Sequence, residues 1–206
     1  MIDLADPAFK CTISQFPTSL EEATGGLIGN TVLICGGYFN GGYKKSCYSL
    51  KEDGDWKLES NLNTARGKAA NGKVDMNNKL VVAGGSNGKR LATIEVVAPN
   101  TQAVTLPIKL PVAMRDSCIV PWDTNTFMII GGRTESDRKQ TYFINLANNT
   151  YTNGPNLLTA RSSFACHTMK IHGEEFIIVA GGWGAEKSTE YLQKANYGSG
   201  WKKSKN

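Results

Sequence analysis

Histidine is almost missing from this chain: His167 and His172 are the only two among 206 residues. Chemistry that needs several imidazoles on one metal ion, or a Ser-His-Asp relay, has little to draw on. Neither histidine lies in a nucleophile-elbow context. No metal and no cofactor is expected. The cysteines, Cys11, Cys35, Cys47, Cys118 and Cys166, are odd in number and hold no Cys-x-x-Cys pair. That pattern speaks against a zinc site and against a disulfide framework. Cys35, Cys118 and Cys166 fall in apolar runs, where a free thiol behaves as a small buried apolar group. No apolar stretch reaches membrane-spanning length, and the opening MIDLADPAF lacks a secretory apolar core. The expectation is a reduced, cytoplasmic protein without a membrane partner. One glycosylation acceptor sequence, Asn148-Asn149-Thr150, points the other way. A long amphipathic helical pattern is absent as well. The net charge of +5 is spread over scattered lysines, apart from the terminal WKKSKN, which reads as a solvated tail. The clustered basic face that nucleic-acid binding requires is lacking.

What the chain does have is a Gly-Gly pair that returns four times after an apolar run. The runs are LICGG ending at Gly37, VVAGG at Gly85, MIIGG at Gly132 and IVAGG at Gly182. The first glycines, Gly36, Gly84, Gly131 and Gly181, are spaced by 48, 47 and 50 residues. A period of this size with one strand signature per unit marks a repeat architecture, most often a β-propeller. Other positions keep phase. Trp56, Tyr151 and Trp201 stand twenty residues after Gly36, Gly131 and Gly181, with Ala103 at the matching place in the second unit. Arg66 and Arg161 follow ten residues after their aromatics, in the phrases LNTAR and LLTAR. Arg115, in LPVAMR, is read as filling that place in the unit between. At the N-terminus Phe9 reads as the aromatic, with Ser19 in the arginine position.

The period also has a physical reading. Each run before Gly-Gly is apolar without alternation, as in a strand covered on both faces. Gly29-Asn30, Asn77-Asn78, Asp123-Thr124-Asn125 and His172-Gly173 turn the chain into it. A further strand follows in SCYSL, TIEVV, TYFIN and STEYL. Then Asp53-Gly54, Pro99-Asn100, Asn148-Asn149 and Gly198-Ser199 lead to the strand carrying the aromatic. With the strand after each arginine this makes four per unit, so the fold class is all-β, a propeller of about four blades of four antiparallel strands. The expected units are 19–65, 66–114, 115–160 and 161–206, with 1–18 giving an outer strand of a preceding blade. Gly-Gly answers crowding near the axis and a need for positive φ. The aromatic fills the widening wedge between blades.

An arginine, a strand, Gly-Gly, a second strand and then Trp resembles the kelch repeat, from about Phe9 to Trp201. The lone Trp122-Asp123 is out of phase for the WD40 family. Kelch propellers commonly close with six blades, so four units imply a fragment, a truncated relative or an oligomer supplying the rest, with closure of a small four-bladed ring as the other option. The resemblance implies a non-catalytic protein-interaction module, as in ubiquitin-ligase substrate adaptors or actin-binding proteins. Its recognition face would be built from Tyr38, Phe39 and Asn40, from Ser86 and Asn87, from Arg133 and Thr134, and from Trp183. Arg66, Arg115 and Arg161, where each unit begins, are divided between framework and recognition. Arginines beside Tyr and Trp suit a protein partner with an acidic or phosphorylated segment. The alternative from another class is a carbohydrate-active propeller similar to galactose oxidase.

Overall fold

The computed structural model describes residues 13–50, 54–72 and 75–204. Phe9, Cys11 and Asp53 lie outside the described residues. The chain folds into four small antiparallel sheets arranged as the blades of a propeller. From axis to rim, blade 1 is Thr24–Ile28, Thr31–Cys35, Ser46–Leu50 and Trp56–Asn61. Blade 2 is Asp75–Met76, Lys79–Ala83, Thr93–Val97 and Val104–Lys109. Blade 3 is Cys118–Pro121, Thr126–Ile130, Thr141–Asn145 and Thr150–Asn153. Blade 4 is Ala165–Ile171, Glu174–Ala180, Thr189–Gln193 and Lys202–Lys203. The inner strands crowd together at the axis, where Asn71–Gly72 pairs in parallel with Cys118–Ile119 of blade 3.

Local chemistry sets the hairpins. Asn77 and Asn78, both at positive φ, make the tight turn into the second strand of blade 2, and His172-Gly173 does the same in blade 4. Where a turn was expected at Gly198-Ser199, the chain forms a short 3₁₀ segment, Lys194–Ser199, ahead of the outer strand.

Burial divides the blades into two kinds. The second strand of blade 3, Thr126–Ile130, is buried at every position, and in blade 2 all of Leu80–Ala83 is buried. These sheets are covered on both faces, as the unbroken apolar runs required. Blades 1 and 4 differ. In Thr31–Cys35 only Leu33 and Cys35 are buried, and in Glu174–Ala180 only Ile177 and Val179. Leu27 on the inner strand of blade 1 is 61% exposed, and Met169 on that of blade 4 is 43% exposed. The buried apolar side chains form one cluster through blades 1, 2 and 3 and a second through blades 3 and 4. Among the described residues neither cluster joins blade 4 to blade 1.

The outer aromatics do not share one role. Trp201 is buried and its Nε1 donates to the Pro155 carbonyl at 2.9 Å. Trp56 is half-buried against Phe16, whereas Tyr151 is 51% exposed and fills no wedge. The cysteines also depart from expectation. Cys35 and Cys47 face each other across adjacent strands of blade 1 with Cα atoms 4.0 Å apart, and form a disulfide. Cys118 and Cys166, with Cα atoms 6.2 Å apart, join the inner strands of blades 3 and 4 by another. The separation of 12 joins neighbouring strands within one blade and that of 48 spans one blade repeat, and no Cys-x-x-Cys rule detects either.

Candidate functional site

Each blade is reached through a five-residue lead-in. These are Phe16-Pro17-Thr18-Ser19-Leu20, Leu62-Asn63-Thr64-Ala65-Arg66, Leu110-Pro111-Val112-Ala113-Met114 and Leu157-Leu158-Thr159-Ala160-Arg161. Backbone bonds to the preceding blade fix their register. The N–H groups of Leu62, Leu110 and Leu157 donate to the carbonyls of Lys45, Ala92 and Lys139 at 2.7, 2.8 and 2.8 Å. The carbonyls of Arg66, Met114 and Arg161 accept from Gly37, Gly85 and Gly132 at 2.7, 2.9 and 2.9 Å. The place of Arg66 and Arg161 is therefore taken in the third unit by Met114, which is 1% exposed, and not by Arg115. Arg115 stands one position later, level with Glu21, Gly67 and Ser162.

The same carbonyls explain the first glycine of each pair. A Cβ on Gly36, Gly84 or Gly131 would lie 2.5, 2.6 or 2.8 Å from the carbonyl oxygen of Arg66, Met114 or Arg161. The next lead-in thus passes against a position where only glycine fits, and the positive φ at these residues adds to the requirement.

Arg66 and Arg161 are braces. Arg66 donates to the carbonyls of Gly84 and Thr93 at 2.8 and 3.0 Å, to Thr93 Oγ1 at 2.9 Å and to Glu95 at 2.5 Å. Glu95 in turn accepts the backbone N–H groups of Asn63 and Thr64 at 2.6 and 3.0 Å. Blade 4 repeats these bonds. Arg161 meets the carbonyls of Gly181 and Ser188, Ser188 Oγ and Glu190, while Glu190 accepts from Leu158 and Thr159 at 2.7 and 2.9 Å. All four charged side chains are at most 1% exposed. Burial pulls the Arg66 guanidinium below its ordinary value, and the charge and hydrogen bond of Glu95 oppose that pull. Fully enclosed, Arg66 and Arg161 are withdrawn from any recognition surface.

The other two blades solve the same place without charge. Tyr142 of blade 3 and Tyr48 of blade 1 stand where Glu95 and Glu190 do. Met114 and Leu20 replace the arginines. Pro111 and Pro17 replace Asn63 and Leu158, removing an N–H that would need the carboxylate. Blades 2 and 4 are thus of one kind and blades 1 and 3 of another.

Two residues past the end of each lead-in, Glu22, Lys68, Asp116 and Ser163 all adopt positive φ, at 58°, 56°, 57° and 51°. Their backbones form a belt around the axis: Lys68 N–H donates to Glu22, Asp116 to Lys68 and Ser163 to Asp116, each at 2.9 Å. All four line a cleft of about 840 Å³ at the centre of this face. Arg115, Arg133 and Trp183 line it too, and a backbone bridge pairs Arg115 with Arg133. Trp183 is 65% exposed. The cations of the cleft have anionic neighbours: Lys68 with Glu22 at 2.9 Å, Arg115 with Asp116 at 2.8 Å and Arg133 with Asp137 at 3.9 Å. Burial raises the Asp116 carboxyl above its ordinary value, against the pull of Arg115 and Lys68.

Of the residues singled out from the sequence, the cleft therefore gathers Arg115, Arg133 and Trp183. Ser86 lies in an adjoining hollow of about 450 Å³ that Lys68 and Arg115 also line. Asn87 and Thr134 sit in the loops beyond these positions. Tyr38 packs edge-on against Tyr43 at 5.1 Å, and Phe39 and Asn40 cap that small hairpin away from the cleft. Glu22, Lys68 and Asp116 escaped the sequence reading because their types differ from unit to unit. His167 lines a separate groove with Trp122 and Lys194, and His172 is in a hairpin turn. Among the described residues no cluster of three His, Cys, Asp or Glu could hold a metal ion, and no helix is long and apolar enough to cross a membrane.

Neither a scan of the chain against family models nor a comparison with curated proteins gives a match.

Proposed function

We propose that this chain is a non-catalytic, kelch-type protein-interaction module that grips a protein partner in the central cleft. The observation that carries the reading is the convergence of Arg115, Arg133 and the exposed Trp183 on that cleft. An exposed indole beside two guanidinium groups is the composition of an interface hot spot. Planar guanidinium groups bind carboxylate and phosphate through paired hydrogen bonds. The partner segment is accordingly acidic or phosphorylated, and its anion replaces Asp116 beside Arg115 and Asp137 beside Arg133. Substrate-adaptor and actin-binding roles are the forms such a module takes in kelch proteins.

The test is a library of acidic and phosphoserine peptides, screened against the wild type and two variants, Trp183→Ala and the double Arg115→Ala, Arg133→Ala. Neither variant touches the buried braces. Binders that lose tenfold or more in affinity to both variants support the reading. Binders indifferent to both, or a library without a binder, refute it.

A further inference from the structure

The inter-blade bonds are made three times, and their fourth set is left open at the two ends of the blade array. Among the described residues the N–H of Gly182 has no acceptor, although Gly37, Gly85 and Gly132 all donate to a following lead-in. At the other end no described residue donates to the carbonyl of Leu20, although those of Arg66, Met114 and Arg161 have donors. Among the described residues the belt stops likewise, with the Ser163 carbonyl open at one end and the Glu22 N–H at the other. Among the described residues a Cβ on Gly181 would meet nothing closer than the Glu186 carbonyl at 3.7 Å, so none of them takes the space occupied beside the other three first glycines. The sheet faces agree. Leu27 and Met169 point out from the free faces of blades 1 and 4.

The kind of lead-in that fits blade 4 is specified by the alternation. Blade 2 is followed by the lead-in Leu110-Pro111-Val112-Ala113-Met114, which serves a tyrosine-type blade. Blade 4 is of the same kind as blade 2, and the lead-in of blade 1, Phe16-Pro17-Thr18-Ser19-Leu20, is of the matching kind. We infer that the chain associates head to tail with a second copy of itself, the blade 1 lead-in of one copy docking on blade 4 of the other. The bonds are those of the seam between blades 2 and 3. Gly182 N–H meets the Leu20 carbonyl, Leu20 N–H the Glu186 carbonyl, Phe16 N–H the Lys187 carbonyl and Glu22 N–H the Ser163 carbonyl.

Such an interface pairs two different surfaces and closes only if the rotation does. Two copies supply eight blades, within the range of propellers. A face of four strands about 4.8 Å apart and about five residues long offers roughly 300 Å². Two seams of two faces each cover roughly 1,200 Å², the lower bound for a specific stable interface.

The experiment is native mass spectrometry and light scattering of the 206-residue chain over a dilution series, with Met169→Lys and Leu27→Glu as separate variants. Both side chains are exposed, so circular dichroism should confirm the fold of each. The wild type is expected to show twice the 22.3 kDa chain mass, dissociating on dilution. Each variant alone should shift the dissociation constant at least tenfold. An equimolar mixture of the two should recover association, because it restores one unaltered seam. A wild type that stays at single mass throughout, as when the same bonds close a four-bladed ring within one chain, overturns the inference. So does an assembly that ignores both substitutions.

Discussion

Replacing Arg66 by Met tests the buried brace most directly, because the third unit already carries Met114 at that place. The single variant leaves the Glu95 carboxylate wholly buried, with two backbone N–H groups as its only remaining partners. Removing one member of such a buried pair costs about 3–5 kcal/mol. Against a domain stability of roughly 5–15 kcal/mol, that is a large fraction. Glu95→Tyr alone strands the guanidinium instead and costs a similar amount. The double variant Arg66→Met, Glu95→Tyr copies blade 3. It removes both charges and leaves the Gly84 carbonyl and the two N–H groups without their brace partners, roughly 1–3 kcal/mol for each group that stays unpaired. The measurement is urea denaturation of all four proteins followed by tryptophan fluorescence. With a slope near 2 kcal/mol per molar urea, each single variant should lower the midpoint by roughly 2 M. The double variant should cost less than the sum of the singles, with a coupling energy of about 1 kcal/mol or more. Single variants that cost under about 1 kcal/mol, or a double variant equal to the sum of the singles, would refute the brace.

Two further outcomes follow from the seams and the cleft. At dilutions where the chain is dissociated, Gly84→Ala should cost more than Gly181→Ala: both force a positive φ, worth about 1–2 kcal/mol, but only the first drives a Cβ into the Met114 carbonyl, about 1–3 kcal/mol more. Equal losses in thermal denaturation would show that the carbonyl gives way freely. Because burial raises the Asp116 carboxyl, its folded value lies above its unfolded one, near 3.9. Its contribution then favours the fold fully below the unfolded value and is lost as pH rises through the folded one. Protonation in that window should also free Arg115, so an acidic peptide whose own charge persists should bind better there, and Asp116→Asn should reproduce the gain at neutral pH.

The propeller was legible because it is written in backbone requirements that recur with the period: the glycine pairs, the turn residues and the apolar runs. The depth of burial was not. LICGG and IVAGG read like VVAGG and MIIGG, yet the first and last strands have a neighbour on one face only, and nothing local in a strand says whether a further blade follows. The arginine register went astray for a different reason. Arg115 matched by letter, whereas the chain places its lead-ins by backbone bonds, and Leu110-Pro111-Val112-Ala113-Met114 aligns with Leu62-Asn63-Thr64-Ala65-Arg66 only when Met takes the place of Arg. The proline was the available signal, since a residue without an N–H cannot serve a buried carboxylate. Of the recognition set, Arg115, Arg133 and Trp183 converge because positions flanking a repeated bridge meet at the axis, while the Tyr38 hairpin folds aside.

The two blade types also constrain how this chain could have changed over time. A blade with a carboxylate needs an arginine, a glutamate and a free N–H together, and a tyrosine blade has none of the three. Every one-step route between them passes through a buried charge without its partner or a proline where a donor is needed. Sequence drift can therefore vary the cleft residues one at a time, as Glu22, Lys68, Asp116 and Ser163 illustrate, but it cannot readily convert one blade into the other. Growth by duplication would preserve the pattern most simply in steps of two blades, and Arg66 and Arg161, like Glu95 and Glu190, stand 95 residues apart, one such step.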